Sequence, residues 1–228
     1  MSVSLSSKLA LGSLAGGSAI GGGILVGSKY LGEDSKKSVL SALLKEKNPE
    51  KRLISKADSS SGAFWKAAWK NYLTSSSNSW SLNIEGVKKD GTDTPPSSFV
   101  DKCVEKSGEL VENEKDPLYS QVLSYCTRDT LIKDLVTENA SKRFLDVASG
   151  KDTSQWKASW DSYKSKNENK TTGKDKWNLT DWQEKQGQND VPESFKSKCT
   201  EKSSINAYSG SSLVEDYGFV LDWCTTNA

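Results

Sequence analysis

The side chains best suited to chemistry in this sequence are four cysteines, which fall into two matched sets. Cys103 and Cys126 lie in the first half of the chain, whereas Cys199 and Cys224 lie in the second half. Paired thiols can form disulfides, hold a zinc ion or supply a reactive nucleophile. A zinc site is disfavoured because the sequence contains neither a Cys-x-x-Cys pair nor a histidine. These spacings therefore favour structural disulfides.

Catalytic groups other than thiols are scarce in this sequence. Histidine, the commonest general base and a common metal ligand, is absent from all 228 residues. Carboxylate pairs are frequent in a chain so rich in Lys and Glu, but none recurs in both halves in a setting typical of catalysis. The formal net charge of +1 gives no electrostatic reason to expect nucleic acid. We therefore expect a protein that is not an enzyme, needs no metal ion or cofactor, and binds no nucleic acid.

Aromatic residues form the second group of candidates. Trp65, Trp69 and Tyr72 follow one another at i, i+4 and i+7, which places three rings on one face of a helix. The same pattern returns in the second half of the chain, at Trp156, Trp160 and Tyr163. Such stripes could stack sugars or bases, but a small module has few other large apolar residues to fill its core. We predict that both stripes are buried core. Trp182, which has no counterpart, is the best candidate for an exposed contact, although we favour a surface tryptophan that packs on its own loop.

The cysteines and the aromatic stripes belong to two copies of one module. Between residues 40 and 72 each matched residue recurs 91 positions later, and further along the spacing rises to between 96 and 98. The change in spacing places insertions in loops of the second copy. A pattern repeated at a fixed spacing indicates tandem modules. If each copy folds independently, the cysteines pair as Cys103 with Cys126 and Cys199 with Cys224.

The hydrophobic spacing predicts helices throughout each copy, and hence an all-α fold. In the first copy we predict helices over residues 38–47 and 49–57. The second of these would begin at the Asn48-Pro49 pair, because Asn caps a helix start and Pro fits the first turn. The third predicted helix carries the aromatic stripe.

Two more helices complete each predicted module. A fourth helix opens at Pro96, and a fifth runs up to Cys126. The polar loop before the fourth helix contains one matched large residue, Trp80 in the first copy. We assign the two helical repeat modules to residues 38–129 and 130–228.

The N-terminal region differs from both modules in composition. Residues 9–27 contain no charged side chain. A helix of this length reaches about 28 Å, close to the roughly 30 Å thickness of a bilayer core. We predict a transmembrane helix here and assign residues 1–37 to a membrane anchor and linker, with a cleaved signal peptide as the alternative. Glycines four residues apart in this stretch would also permit self-association through close helix packing.

Two features of the sequence disagree about the side of the membrane on which the modules lie. Lys29, Lys36 and Lys37 follow the apolar stretch, and basic residues favour the cytoplasm. Matched cysteine pairs in small modules instead favour an oxidising exterior. We expect the modules outside the cell membrane, with a cytoplasm-facing scaffold that keeps its cysteines reduced as the alternative.

Several short motifs together resemble a known family. They are Lys-Leu-Ala-Leu-Gly at residues 8–12, three glycines at 21–23, Asn-Pro at 48–49, Lys-Arg-Leu-Ile at 51–54, the repeated Trp-x-x-x-Trp-x-x-Tyr, and Cys224. This set resembles the large paralogous groups of uncharacterised, membrane-anchored proteins of haemotropic mycoplasmas. The resemblance implies a wall-less bacterium, a membrane anchor, and suspected surface display with antigenic variation. It implies no catalytic residues.

The predicted function follows from the scaffold and its loops. We expect a surface-displayed, non-enzymatic interaction or antigenic protein whose polar loops at residues 78–94 and 164–190 are the displayed elements. Its partner would be a host or bacterial surface protein, and residues 9–27 would contact the membrane.

Overall fold

The computed structural model describes residues 37–75, 78–148 and 150–228. These residues form two similar modules, each built from helices and short β-ladders. The first module contains β1 (Ser38–Val39), α1 (Leu40–Lys47), β2 (Lys51–Leu53), α2 (Ala63–Thr74), α3 (Ser97–Ser107), β3 (Leu110–Val111), α4 (Pro117–Tyr125) and β4 (Thr127–Asp129). The second contains α5 (Ile132–Glu138), β5 (Lys142–Phe144), α6 (Thr153–Lys166), α7 (Trp182–Lys185), α8 (Glu193–Ser203), β6 (Tyr208–Ser209), β7 (Ser212–Leu213), α9 (Glu215–Trp223) and β8 (Thr225–Asn227). Apart from α7, each helix of the second module has a counterpart in the first.

The predicted all-α fold is wrong, because short antiparallel ladders accompany the helices. Over the described residues β1 pairs with β3, β2 with β4, β5 with β8, and β6 with β7. The β2–β4 register places Arg52 opposite Arg128, and the β5–β8 register places Arg143 opposite Thr226. Both of these ladders join the segment after a module's first helix to the end of the same module. The strands therefore close each module, and the fold is a mixture of helix and strand.

The predicted helix over residues 49–57 is also wrong, because residues 51–53 form β2. Asn48 ends α1 instead of starting a helix, since its backbone N–H donates to the Leu44 carbonyl. Its side-chain Oδ1 accepts from the Tyr119 hydroxyl at 2.6 Å. The ladder continues past β2, where the Ile54 N–H donates to the Cys126 carbonyl at 2.9 Å. Pairing with the distant end of the module therefore outweighs the local preference for helix.

The helices that carry the cysteines begin at clear local signals. The Asp116 carboxylate accepts from the Leu118 N–H at 2.9 Å, and Pro117 occupies the first position of α4. α3 begins directly after Pro96, and α8 directly after Pro192. In the first module α3 packs against α4, and in the second module α8 packs against α9. This packing brings the two cysteines of a module together.

Each module has its own hydrophobic cluster. The first cluster extends from Leu40 to Cys126, and the second from Ile132 to Cys224. Their largest fully buried side chains are tryptophans, tyrosines and phenylalanines rather than aliphatic residues. Burial of one such side chain stabilises the fold by roughly 1.5–3 kcal/mol, so a few rings supply most of the core energy of a small module.

The predicted transmembrane helix over residues 9–27, with its glycine pairs, lies outside the described residues. Within the ranges that the structure does describe, no helix is both long and apolar enough to cross a bilayer.

Candidate functional site

The four cysteines form two disulfides, one in each module. The sulfur atoms of Cys103 and Cys126 lie 2.05 Å apart, as do those of Cys199 and Cys224. Each bond joins the helix that begins after proline to the residue that ends the module's last helix. All four side chains are at least 96 % buried, so they present no accessible thiol. Closing a loop of this length stabilises a module by about 3 kcal/mol in the chain-entropy model.

The two aromatic stripes lie in the cores, where each side chain is at most 3 % exposed. Trp65, Trp69 and Tyr72 are all at most 1 % exposed, and Trp69 stacks on Tyr72 with ring centroids 5.6 Å apart. Trp65 packs edge-on against Phe99 at 6.1 Å. The second module repeats both contacts at 5.7 and 6.1 Å, through Trp156, Trp160, Tyr163 and Phe195. The stripes are therefore scaffold rather than a stacking platform.

Trp182 is neither an exposed contact nor a surface tryptophan packed on its own loop, because its side chain belongs to the core of the second module. It is 1 % exposed, and its ring meets Trp160 at 5.9 Å and Tyr163 at 5.6 Å. Its indole N–H donates to the Asn169 carbonyl at 2.7 Å. The insertion in the second module thus folds its own tryptophan into the core. Leu179, three residues earlier and also buried, is the apolar signal that could have indicated this.

A buried hydrogen-bond network fixes the start of the long loop in the first module. The Tyr72 hydroxyl donates to Asn78 Oδ1 at 2.5 Å and accepts from the Trp80 N–H at 3.2 Å. Asn78 Nδ2 donates to the Leu82 carbonyl at 2.9 Å, and Asn78 itself adopts a left-handed backbone with φ of 36°. The network holds Trp80 against the core, where it is 8 % exposed.

The second module has the same network with an acid in place of the amide. The Tyr163 hydroxyl donates to Asp175 Oδ2 at 2.5 Å and accepts from the Trp177 N–H at 3.0 Å. Asp175 Oδ2 also accepts from the Leu179 N–H at 2.9 Å. Burial raises the pKa of Tyr163 far above its ordinary value, and the hydrogen bond to Asp175 raises it further. The spacing of apolar residues did not indicate this network, although a polar residue stands two positions before Trp80 and before Trp177.

An open pocket of about 290 Å³ lies beside Trp80 in the first module. Its walls come from the loop start, α3 and α4, and consist of Ser79, Trp80, Ser81, Lys102, Lys106, Leu118 and Gln121. The Trp80 Nε1–H donates to Gln121 Oε1 at 2.8 Å. Lys102 Nζ donates to Glu105 at 2.8 Å, and Lys106 Nζ donates to Glu109 at 2.6 Å. The residues that line the pocket thus include two lysines, two serines and a tryptophan.

The corresponding place in the second module contains a carboxylate. Trp177, Lys198 and Lys202 occupy the positions of Trp80, Lys102 and Lys106. Asp216 replaces Leu118, and its Oδ1 accepts from the Trp177 Nε1–H at 3.1 Å. Its Oδ2 accepts from Lys202 Nζ at 2.8 Å. The Asp216 carboxylate therefore bridges the indole and the ammonium group.

Ion pairs also cross the boundary between the modules. Arg52 contacts Glu138 through two hydrogen bonds, and Arg128 contacts Asp134 through two more. They border a groove of about 460 Å³. Burial acts to raise the pKa of Asp134, but hydrogen bonds from Arg128 and from the Leu131 N–H outweigh it, and the pKa lies below its ordinary value. Both arginines of the groove are therefore engaged within the protein.

Within the described ranges, no cluster of three or more Cys, Asp or Glu side chains is arranged to hold a metal ion. No family model, curated protein or solved structure matches this chain. The resemblance to the mycoplasma groups stays a prediction. Comparison of the two modules with each other separates retained positions from changed ones. Outside the core, the lysine pair of α3 is also present in α8, whereas the position of Leu118 is occupied by Asp216 in the second module.

Proposed function

We propose that this chain is an extracellular, non-catalytic interaction protein in which two disulfide-closed modules present loops to a partner. The observation that carries the proposal is the pair of matched, buried disulfides. Such bonds form and persist outside the reducing cytoplasm, and they stabilise small modules with limited cores. The lack of histidine and of an accessible thiol argues against common catalytic roles.

The loops between the matched helices of the two modules are the elements proposed to bind. The segment between α2 and α3 and the segment between α6 and α8 differ in length and sequence, whereas the core they connect is matched. Loops tolerate change and frequently carry recognition, while matched core positions preserve packing. A protein on a host or bacterial surface is the proposed class of partner.

The test combines location with redox state. Intact cells that produce the full chain are treated with an impermeant protease, and the chain from untreated cells is mapped by mass spectrometry without reduction after thiol alkylation. We expect digestion of the modules and the two bonds Cys103–Cys126 and Cys199–Cys224. Protection from the protease together with four alkylated thiols would contradict the proposal. That result would support the alternative of a cytoplasm-facing scaffold with reduced cysteines.

Binding is tested separately with the purified, oxidised chain. Flow cytometry measures its attachment to intact host cells and to bacterial cells, and the matched control is the same chain after reduction and alkylation. We expect saturable binding of the oxidised chain alone, because the loops need closed modules to hold their shape. Equal attachment of both forms would indicate nonspecific adhesion.

A further inference from the structure

Both modules have the same hydrogen-bond donors in this place, namely the indole N–H of the loop tryptophan and a pair of lysines. They differ in the group that accepts from these donors. The sequence Lys-Cys-x-Glu-Lys-Ser recurs on α3 and α8, so the lysine pair survives duplication although these side chains lie outside the core. In the second module the acceptor is built in, because Asp216 bridges Trp177 and Lys202. In the first module Leu118 stands at that position, and a pocket opens there. Asp216 of the second module thus shows that a carboxylate fits between these donors.

The donors of the first module are paired, but in ways that a ligand can displace. The Trp80 indole donates to a neutral amide oxygen of Gln121. Lys106 pairs with Glu109, and these side chains are 23 % and 41 % exposed. Surface ion pairs of this kind are weak, and a carboxylate makes a stronger hydrogen bond to an indole N–H than a neutral amide oxygen does. A carboxylate that accepts from both donors can therefore replace the existing partners.

We propose that the pocket beside Trp80 binds a carboxylate group, which an acidic side chain of a partner protein or a small organic acid would supply. One carboxylate oxygen accepts from the Trp80 indole and the other from Lys106, as Asp216 does between Trp177 and Lys202. Lys102, Ser79 and Ser81 also line this pocket. This inference rests on the proposed binding function, for which it names the ligand chemistry.

The test follows the tryptophan indole signals of the full-length chain by NMR with ¹⁵N-labelled tryptophan. Trp80→Phe and Trp177→Phe assign two of the eight signals. The ligand is acetyl-Gly-Asp-Gly-amide, and the matched control is acetyl-Gly-Asn-Gly-amide at the same ionic strength. We expect the Asp peptide to shift the Trp80 signal saturably, with an affinity at least about tenfold above that of the Asn peptide. Equal affinities, or an unmoved Trp80 signal, would overturn the proposal.

A third titration distinguishes the two sources of the carboxylate. Sodium acetate that saturates the Trp80 signal at the same concentration as the Asp peptide would support a small acid as ligand. Tighter binding of the peptide would support an acidic side chain on a polypeptide. Sodium chloride at matched ionic strength controls for general salt effects, and an equal response to chloride would overturn the site.

An exchange of residues between the modules gives the sharpest result. Leu118→Asp places an acid at the second position of α4, as Asp216 is placed in α9, and acids are favourable in the first turn of a helix. We expect this variant to lose at least about tenfold in peptide affinity, whereas the neutral Leu118→Asn keeps more of it. Asp216→Leu should make the Trp177 signal respond to the peptide. Undiminished affinity in Leu118→Asp would overturn the proposal.

Two controls keep these outcomes interpretable. The other indole signals report whether each variant is folded, because the remaining tryptophans lie in the cores of both modules. If Leu118→Asp disturbs the first module, Asp216→Leu tests the proposal in the second, and an unresponsive Trp177 in a folded Asp216→Leu chain would overturn it. A negative result here leaves the extracellular location and the disulfides unaffected, since those are measured independently.

Discussion

Arg52 of the first module forms two hydrogen bonds to Glu138 of the second, whereas its counterpart Arg143 bonds to Asp152 inside its own module. The distances are 3.1 and 3.2 Å across the boundary, and 2.6 and 2.8 Å within the second module. The position of Asp152 is occupied by Ser61 in the first module, so Arg52 has no carboxylate there. The same arginine position therefore pairs with the neighbouring module in the first copy and with a residue of its own module in the second copy.

The boundary pair should contribute a small but measurable coupling energy. We expect a double-mutant cycle of Arg52→Ala and Glu138→Ala to give about 0.5–1 kcal/mol in urea unfolding, because Glu138 is 41 % exposed and its charge is screened. The matched control is the cycle of Arg143→Ala and Asp152→Ala, which measures the same arginine used within one module. A coupling energy of zero for the first cycle would show that the pair does not connect the modules energetically.

The second boundary pair should give a stability difference that depends on pH. The folded-state pKa of Asp134 is depressed, so its contribution is fully present above the unfolded value of about 4 and is lost as the pH falls through the lower folded value. Arg128 and Asp134 are 15 % and 16 % exposed, so we expect Asp134→Asn to lower the free energy of unfolding by about 1–3 kcal/mol at pH 7.

Urea unfolding of both proteins between pH 2 and pH 7 measures this difference. The gap should narrow below about pH 4 and close once Asp134 is protonated in the folded protein as well. A gap that stays constant over this range would mean that the loss comes from packing and not from the charge.

The longer helices were predictable from sequence, whereas the strands were not. The apolar spacing in α2 and in α4 extends over two or more turns, which is enough for periodicity to identify a helix. β2 has three residues, Lys51–Leu53, with no alternation of apolar and polar side chains. It is a strand because β4, more than seventy residues away, supplies its backbone partners. No local pattern contains that information, and the Asn48-Pro49 signal pointed to a helix instead.

The candidate site depended even more on three-dimensional neighbours. The lysines of α3 and the tryptophan of the loop could be matched between copies, but their proximity could not be predicted from spacing. The importance of Leu118 and Asp216 emerges once α4 and α9 are seen beside those residues. Both positions differ between the copies, so the repeat pattern does not indicate them.

Trp182 should behave as a core residue. We expect Trp182→Ala to lower the free energy of unfolding by about 3–5 kcal/mol, because its ring is 1 % exposed and contacts Trp160 and Tyr163. Phe64→Ala is the matched control, since Phe64 is 39 % exposed and its loss should cost far less. Urea unfolding followed by far-UV circular dichroism measures both. A cost below about 1 kcal/mol for Trp182→Ala would contradict its place in the core.

The buried tyrosines should respond differently to removal of their hydroxyls. Tyr163→Phe leaves the Trp177 N–H without its acceptor and removes a donor to a buried acid, so we expect a loss of about 2–3 kcal/mol. Tyr72→Phe is the counterpart with a neutral partner, Asn78, and should lose about 1–2 kcal/mol. Thermal or urea unfolding at pH 7 compares them. An equal loss in both variants would indicate that the acid adds nothing to the bond.

Alkaline pH gives a separate test of the same hydroxyl. The folded-state pKa of Tyr163 is raised, so its contribution is present below the unfolded value of about 10 and is lost as the pH rises towards the folded value. The wild-type chain should therefore lose stability above about pH 10 more steeply than Tyr163→Phe. Parallel curves for the two proteins between pH 9 and pH 12 would contradict this.

Asp175 and Asn78 occupy corresponding positions in the two modules, but more of the hydrogen-bonding atoms of Asn78 have a partner. Asn78 Oδ1 accepts from Tyr72 and from the Leu82 N–H, and its Nδ2 donates to the Leu82 carbonyl. Asp175 makes the first two contacts through Oδ2, whereas its buried Oδ1 has no hydrogen-bond partner among the described residues. An unpaired buried polar atom costs about 1–3 kcal/mol.

The hydrogen-bonding atoms of the Asn78 side chain are therefore better satisfied than those of Asp175. We expect exchange of the two residue types to change the stability of each module accordingly. We expect Asp175→Asn to raise the free energy of unfolding by about 1 kcal/mol, because the new amide can donate to the Leu179 carbonyl as Asn78 does to Leu82. Asn78→Asp, the reciprocal change, should lower it by about 1–3 kcal/mol. Urea unfolding at pH 7 measures both. If Asp175→Asn destabilised the chain, the Asp175 carboxylate would have to be stabilised by a group that the network described above does not include.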